Sequence, residues 1–324
     1  MEYKSVIPLL IDDNEHVLFE QAANYQHLPL LHYALKYRTK DSVPGNFKLF
    51  IDRDKRVLLY ADYETRYPLH VAIESCQNTE TLQLLVDDQR TILTSTPVRI
   101  TNKVYQCFTP LHHFLKHSKT YDVETIMFLM DASKTVLTTL DRDGEVPLQY
   151  AIRHGSKFPD IIPLLIDIDK NCLLQCGPRG CPLQIAILCK WDVKMLQVLV
   201  DPLGKVFRLC GEEKNTPLHA SVFYKSDDAT VRFLVESDPY VLQTQNVYKY
   251  TPLHAAIDNK MCGLSEYCNN TDRERYHEWN IDMLFLLGAK DESVLLVPNI
   301  YGQTPLFSAI TRGFPVHVLQ YFRT

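Results

Sequence analysis

The sequence predicts an all-α fold, a solenoid of short stacked helices running through its 324 residues. Three observations carry that expectation. A short phrase recurs eight times: LPLLHYAL at 28–35, YPLHVAI at 67–73, TPLHHFL at 109–115, VPLQYAI at 146–152, CPLQIAI at 181–187, TPLHASV at 216–222, TPLHAAI at 251–257 and TPLFSAI at 304–310. Its shared leucine, from Leu31 to Leu306, recurs at intervals of 38, 42, 37, 35, 35, 35 and 53 residues. A second phrase alternates with the first, as in FKLFIDRDKRVLL, IPLLIDIDKNCLL and VRFLVESDPYVL, with apolar residues over two turns, an acid, and a loop ending in Val-Leu or its equivalent. Periods of this length mark repeat architectures.

The unit is therefore helix, turn, helix and extended loop. Neither helix is long enough to stand alone in water, so neighbouring units must bury its apolar face. Threonine before proline is a helix N-cap, its oxygen taking an otherwise unpaired N–H. Proline next is harmless, because the first helical position has no intrahelical bond to lose. The leucine that follows, and the small residue three later, point into the stack.

The repeated phrase resembles the T-P-L-H-x-A signature of ankyrin repeats, from about residue 5 to residue 322. The resemblance implies an L-shaped unit of two antiparallel helices with a hairpin-like projecting loop. It also implies that the signature histidine is structural, hydrogen-bonding within and between repeats. The turn slot three residues before proline needs φ > 0 and suits glycine. Glycine stands there at Gly144 and Gly302, but Thr65, Cys107, Lys214 and Lys249 hold it elsewhere. Leu28, Tyr67, Val146 and Cys181 replace the capping threonine, and Gln149, Gln184 and Phe307 replace the histidine. These units read as divergent and weaker than consensus repeats. One array is expected over 1–324, with a partial unit at 1–27, units from near 28, 67, 109, 146, 181, 216, 251 and 304, and an inter-helix insertion near 261–279. The outer segments, Ser5–Asp12 and VHVLQYF at 316–322, both match second helices without a polar capping repeat. That reads as an array cut from a larger repeat protein.

Composition narrows function. A net charge of −5 speaks against a general nucleic-acid binder. No apolar run is long enough to span a membrane, and the N-terminus does not read as a signal peptide. Nine irregularly spaced cysteines indicate reduced thiols in the cytoplasm or nucleus, and under that reading the Asn269 sequon is incidental.

No HExxH, GxGxxG, P-loop, GxSxG or CxxC string is present, so no catalytic residue, cofactor or metal site is assigned. Asp141-Arg-Asp143-Gly144 opens like a calcium loop but reads as a hairpin turn, because no glutamate closes it. His113 and His117 have chelating spacing and read as a solvent-facing pair. Cys172, Cys176, Cys181 and Cys189 could imitate a zinc site but read as structural, with Cys172 in the buried slot of Leu137 and Leu242.

The expected activity is non-catalytic: a scaffold or adaptor, monomeric, binding a protein or peptide on the concave and loop face. The alternative is a recruiting arm of a larger enzyme or ubiquitin-ligase-type assembly. Residues after the signature slot include Tyr33, His113 and Tyr150; one turn on come Lys36, Lys116, Arg153, Lys190, Lys225, Lys260 and Arg312, flanked by Tyr37 and Tyr224. Tyrosine and arginine often dominate interface energy, although cations at a helix C-terminus also complement its dipole. An acidic column (Asp12, Asp52, Asp87, Asp131, Asp167, Asp201 and Glu236) marks the second helices, for solubility or charge segregation. Basic groove edge and acidic back together suit an acidic partner. The insertion, carrying Tyr267, Tyr276, His277 and Trp279, is the second candidate site.

Overall fold

Each repeat begins at its proline, and the backbone explains why. In a computed structural model that describes residues 29–37, 45–62, 64–75, 78–86, 91–94, 108–117, 123–131, 134–154, 160–211, 213–258 and 281–321, Thr216, Thr251 and Thr304 adopt extended backbone and accept the N–H three residues on. Thr109 accepts His112 N–H in the same way. Tyr67, Val146 and Cys181 have the same backbone without a capping side chain. There the third residue reaches back instead: His70 Nδ1, Gln149 Oε1 and Gln184 Oε1 accept the cap residue's own N–H at 3.3, 2.9 and 2.7 Å. One half of the reciprocal cap survives the loss of the other.

The first helices are α1 (Leu30–Tyr37), α3 (Pro68–Glu74), α5 (Pro110–His117), α7 (Pro147–Arg153), α9 (Pro182–Leu188), α11 (Pro217–Phe223), α13 (Pro252–Ile257) and α15 (Pro305–Thr311). Their partners are α2 (Gly45–Arg53), α4 (Thr79–Leu84), α6 (Val123–Asp131), α8 (Ile161–Ile168), α10 (Val193–Val198), α12 (Asp228–Ser237), α14 (Ile281–Ala289) and α16 (Val316–Tyr321). None exceeds ten residues, so packing must hold them. Asn78, Asp192 and Asp227 cap α4, α10 and α12. Among the described residues there is no strand; Gly177 and Gly180 form an isolated bridge.

The loop after each second helix is not simply extended, as expected, but contains a 3₁₀ turn. Asp54, Asp169, Asp238 and Asp291 each accept the N–H two residues on, opening turns at Lys55–Leu59, Lys170–Leu174, Pro239–Leu242 and Glu292–Leu296. The cap fixes which two residues face inward: Val57-Leu58, Cys172-Leu173, Val241-Leu242 and Val294-Leu295 are all buried. Cys172 therefore occupies the slot of Val136 and Val241, one residue before that of Leu137 and Leu242. It remains a core position.

Contacts divide the chain into two compact units, Met1–Pro159 and Asp160–Thr324. The boundary falls between the two helices of the repeat that starts at Val146. In the first unit α1, α3, α5 and α7 pack in succession, and α2, α4 and α6 form a second layer. In the second unit α9, α11, α13 and α15 form one layer and α10, α12 and α14 the other. Each core lies between layers: Leu69, Leu111, Leu183, Leu218 and Leu253 of the first helices are buried, as are Leu129, Leu234 and Leu287 of the second helices and Leu85 and Leu199 at the ends of theirs. Each such leucine contributes about 1.5–3 kcal/mol through lost water contact.

Candidate partner-binding face

Within each unit, the signature side chain ties successive repeats together. In the first unit His32, His70 and His112 donate from Nε2 to the carbonyls of Arg66, Phe108 and Glu145, at 2.8, 2.8 and 3.0 Å. In the second unit His219 and His254 do so to Tyr250 and Gln303 at 2.9 and 3.1 Å, and Gln184 Nε2 donates to Asn215. The acceptor is always the residue before the next helix cap. In His70, His219 and His254, Nδ1 accepts the cap N–H, which requires the proton on Nε2. Burial therefore holds these rings neutral: His32, His70, His112 and His219 are lowered to about 4, and His254 is lowered too. These imidazoles are structural, as the resemblance implied.

Between each cap and the preceding turn lies a repeated hairpin. Asp62, Asp141, Asn246 and Asn299 each accept from the backbone N–H two and four residues on. The slot that suits glycine has positive φ at five positions: Gly144 and Gly302 at 73°, Thr65 at 61°, Lys214 at 56° and Lys249 at 54°; before Pro182 the next residue, Gly180, has it instead, and Cys107 lies outside the described residues. Three side chains thus occupy a strained region.

At four caps the preceding residue also meets the end of the helix that follows, eight residues later, each time by a different chemistry. Arg66 pairs with Glu74 at 2.8 Å, and Lys116 lies 4.5 Å over the Phe108 ring. Glu145 binds Arg153 at 2.6 Å, and Tyr250 donates to Asp258 at 3.3 Å.

This contact reaches deep into the expected basic column. Arg153 is held by Glu145, a carboxylate that is itself 0% exposed, and lies over Tyr150. Lys116 is half-buried against Phe108, and desolvation lowers its pKa. Lys190 donates to the carbonyls of Tyr224 and Lys225, and Arg312 pairs with Asp258. Tyr37 is 53% exposed, tilted against Tyr33 at 4.7 Å and 5.5 Å from the Lys36 ammonium. Lys225 is exposed and Tyr224 half-buried.

Two expected site residues are interior. Tyr150 is buried, and burial pushes its phenol up to about 12. His113 does not face solvent with His117: it is 5% exposed, wedged edge-on to His70 at 5.1 Å and tilted on His117 at 4.4 Å. The close packing of α3 and α5 is the cause. Its Nε2 has no hydrogen-bond partner among the described residues and lies 4.0 Å from Glu74.

Tyr267, Tyr276 and Trp279, with the rest of the insertion and Lys260, lie outside the described residues. In the acidic column Asp52, Asp167 and Glu236 are exposed, whereas Asp201 is buried and accepts Leu203 and Val206 N–H. Among the described residues no group of three or more histidine, cysteine or acidic side chains is arranged to hold a metal. No helix there is long and apolar enough to cross a membrane.

One feature escaped sequence reasoning. Two hairpin tips of the second unit are apolar, with Val247, Ile300 and Tyr301 exposed, and neighbouring tips are joined by Val247 N–H to the Glu213 carbonyl and Ile300 N–H to the Tyr248 carbonyl. The tip at Asp141–Gly144 instead exposes Arg142 and Asp143. The signal was present in Asn-Val-Tyr-Lys and Asn-Ile-Tyr-Gly against Asp-Arg-Asp-Gly.

No protein-family model matches this chain, and no curated protein matches it. Among solved structures it is similar to the ankyrin repeat domain of Bcl-3, described as a unique member of the IkappaB protein family. The TM-score is 0.52 at 20% sequence identity, over 69% of this chain and 91% of that one. The likeness is one of fold, and it agrees with the caps, hairpins and histidine ladder above. The chain has the ankyrin-repeat fold, all-α and built of stacked helical pairs.

Proposed function

We propose that this chain is a non-catalytic interaction module that binds a protein or peptide along its first-helix ends and hairpin tips. The observation that carries this reading is where exposed aromatic and cationic groups gather. Exposed Tyr37 beside half-buried Lys36, and exposed Lys225 beside half-buried Tyr224, stand at first-helix ends, while exposed Val247, Ile300 and Tyr301 crown the hairpins. Tyrosine is among the side chains that usually dominate binding energy, and the neighbouring lysines supply charge for an acidic partner. The signature histidines are consumed by caps and inter-repeat bonds, which leaves them no catalytic part. We read the two units as one array, with an acidic segment of the partner against the lysine-bearing edge.

The test is to recover partners by cross-linking to the intact chain and to titrate the purified partner against Lys36→Glu/Lys225→Glu. Arg153 is left unchanged, because reversing it would set an acid against the buried Glu145. A loss of affinity on charge reversal, with binding that weakens as salt rises, supports the acidic-partner reading. Unchanged affinity in both experiments overturns it. Loss only with Val247→Asp/Ile300→Asp would move the contact to the hairpin tips.

A further inference from the structure

We infer that Cys176 and Cys181 form a reversible disulfide, making the hairpin that enters α9 a thiol-oxidation site. The geometry begins with two glycines. Gly177 and Gly180 exchange both backbone hydrogen bonds at 3.0 Å across Pro178 and Arg179, closing a two-residue turn. The next residues outward are therefore directly opposite one another in a non-hydrogen-bonded pair, where Cα atoms stand about 4.5 Å apart. That separation lies inside the range a disulfide spans.

The turn is pinned in place. Gly180 has φ of 102°, and a Cβ there would fall 2.2 Å from Gln184 Oε1, the atom that accepts Cys181 N–H. Gly211 of the following hairpin backs it so closely that its own Cβ would stand 3.3 Å from Gly180 Cα.

The two sulfurs differ in the way a sensing pair requires. Cys176 is exposed and Cys181 is 0% exposed, so an oxidant reaches only the first. The thiols hydrogen-bond each other; this holds Cys176 below the ordinary thiol range, while burial pushes Cys181 well above it. Cys176 is thus the nucleophile and Cys181 the resolving thiol. Other thiols are less well placed. Cys172 is enclosed in the core with its sulfur toward the Leu165 carbonyl, and Cys189 caps the far end of α9. Cys210, half-buried beside Gly211, directs its sulfur to the Arg208 carbonyl.

With a hydroperoxide as oxidant, the Cys176 thiolate attacks the peroxide oxygen, the O–O bond breaks, and the released oxide leaves protonated. Cys176 is then a sulfenic acid. Cys181 sulfur attacks Cys176 sulfur, the S–OH bond breaks, and the hydroxide departs as water with the Cys181 proton. Both sulfurs are oxidised and the peroxide is reduced. A dithiol reverses the step by exchange.

The experiment uses the full chain, reduced and then treated with one equivalent of hydrogen peroxide. Trypsin cuts at Lys170, Arg179 and Lys190, so the two cysteines fall on separate peptides, Asn171–Arg179 and Gly180–Lys190. The expected product without reductant is these peptides joined, lighter by two hydrogens than their sum, with fragmentation placing the bond at Cys176–Cys181. Dithiothreitol separates them. Cys189→Ser leaves the link intact, and Cys181→Ser, which keeps a good capping residue, halts at a Cys176 sulfenic acid trapped by dimedone. The inference is overturned if Cys176 passes to sulfinic acid with Cys181 still reduced, or if the bond forms to Cys210 instead.

Discussion

At Asp141 a carboxylate sits where two other hairpins use asparagine. Its Oδ1 accepts the backbone N–H of Asp143 and Glu145, as Asn246 and Asn299 accept theirs, but its buried Oδ2 has no hydrogen bond among the described residues. Asp62, in the same slot, is paired with Arg66 at 2.8 Å; Asp141 has Glu145 there instead. Burial, with Glu145 and Asp143 nearby, raises Asp141 to about 6 from 3.8. A raised carboxylate contributes stability that is complete below 3.8 and lost as pH rises through about 6. Asp141→Asn is therefore expected to stabilise the protein at pH 7 by about 1–2 kcal/mol, with the gain vanishing in acid; urea melts at pH 7 and pH 4 check both. The ladder allows a second comparison. His219→Ala should cost about 1–3 kcal/mol, because it leaves the buried Tyr250 carbonyl without its donor. His219→Gln should recover most of that, since Gln184 already does the same work between its cap and Asn215.

Hairpins and caps are the elements in which these repeats depart from consensus, and there the departures have a measurable cost. Thr65, Lys214 and Lys249 hold positive φ that glycine adopts freely. The β-branched Thr65 is the worst case, and its buried hydroxyl has no hydrogen-bond partner among the described residues. Thr65→Gly is expected to raise stability by about 1 kcal/mol, and Lys214→Gly or Lys249→Gly by about half that, less the added freedom of the unfolded chain. Unchanged or lower melting temperatures for all three would show that the strain is relieved elsewhere. The opposite change belongs to Gly180, where Gly180→Ala drives a methyl group into Gln184 Oε1. That variant should lose the cap on α9 and the Gln184 bond to Asn215 together, a loss of about 2 kcal/mol or more.

For the molecule as a whole, the buried histidines set the response to acid. Six are lowered by burial, four of them to about 4 from 6.5, so the unfolded chain binds more protons below pH 6.5 than the folded one. Their stabilising contribution is complete above 6.5 and declines as pH falls toward 4. Each removes up to about 1.4 kcal/mol per pH unit in that window. Asp141 acts in the opposite direction over part of the same range, but one carboxylate is outweighed by six imidazoles. Unfolding midpoints in urea are expected to fall steeply between pH 6.5 and pH 4.5, and a flat profile would contradict the neutral ladder. Replacing His70, His112 and His219 by glutamine should flatten it, because glutamine keeps the bond and does not titrate.

The repeat phrase determined the fold from the sequence alone: proline after a capping residue starts a helix by local chemistry, and its periodic return leaves stacking as the way to bury the leucines. The histidines' structural role and the strained turn slot were legible for the same reason, since both belong to contacts made at a constant offset along the chain. Contacts between neighbouring side chains were not. That Glu145 binds Arg153, that His113 is wedged against His70, and that an aspartate before four of the 3₁₀ turns selects which pair faces inward depend on how helices approach one another. The Val247, Ile300 and Tyr301 tips were visible as letters, but their exposure followed only once Asn246 and Asn299 were seen to turn the backbone outward. Offsets along the chain are written in the sequence; distances between units arise only when the helices pack.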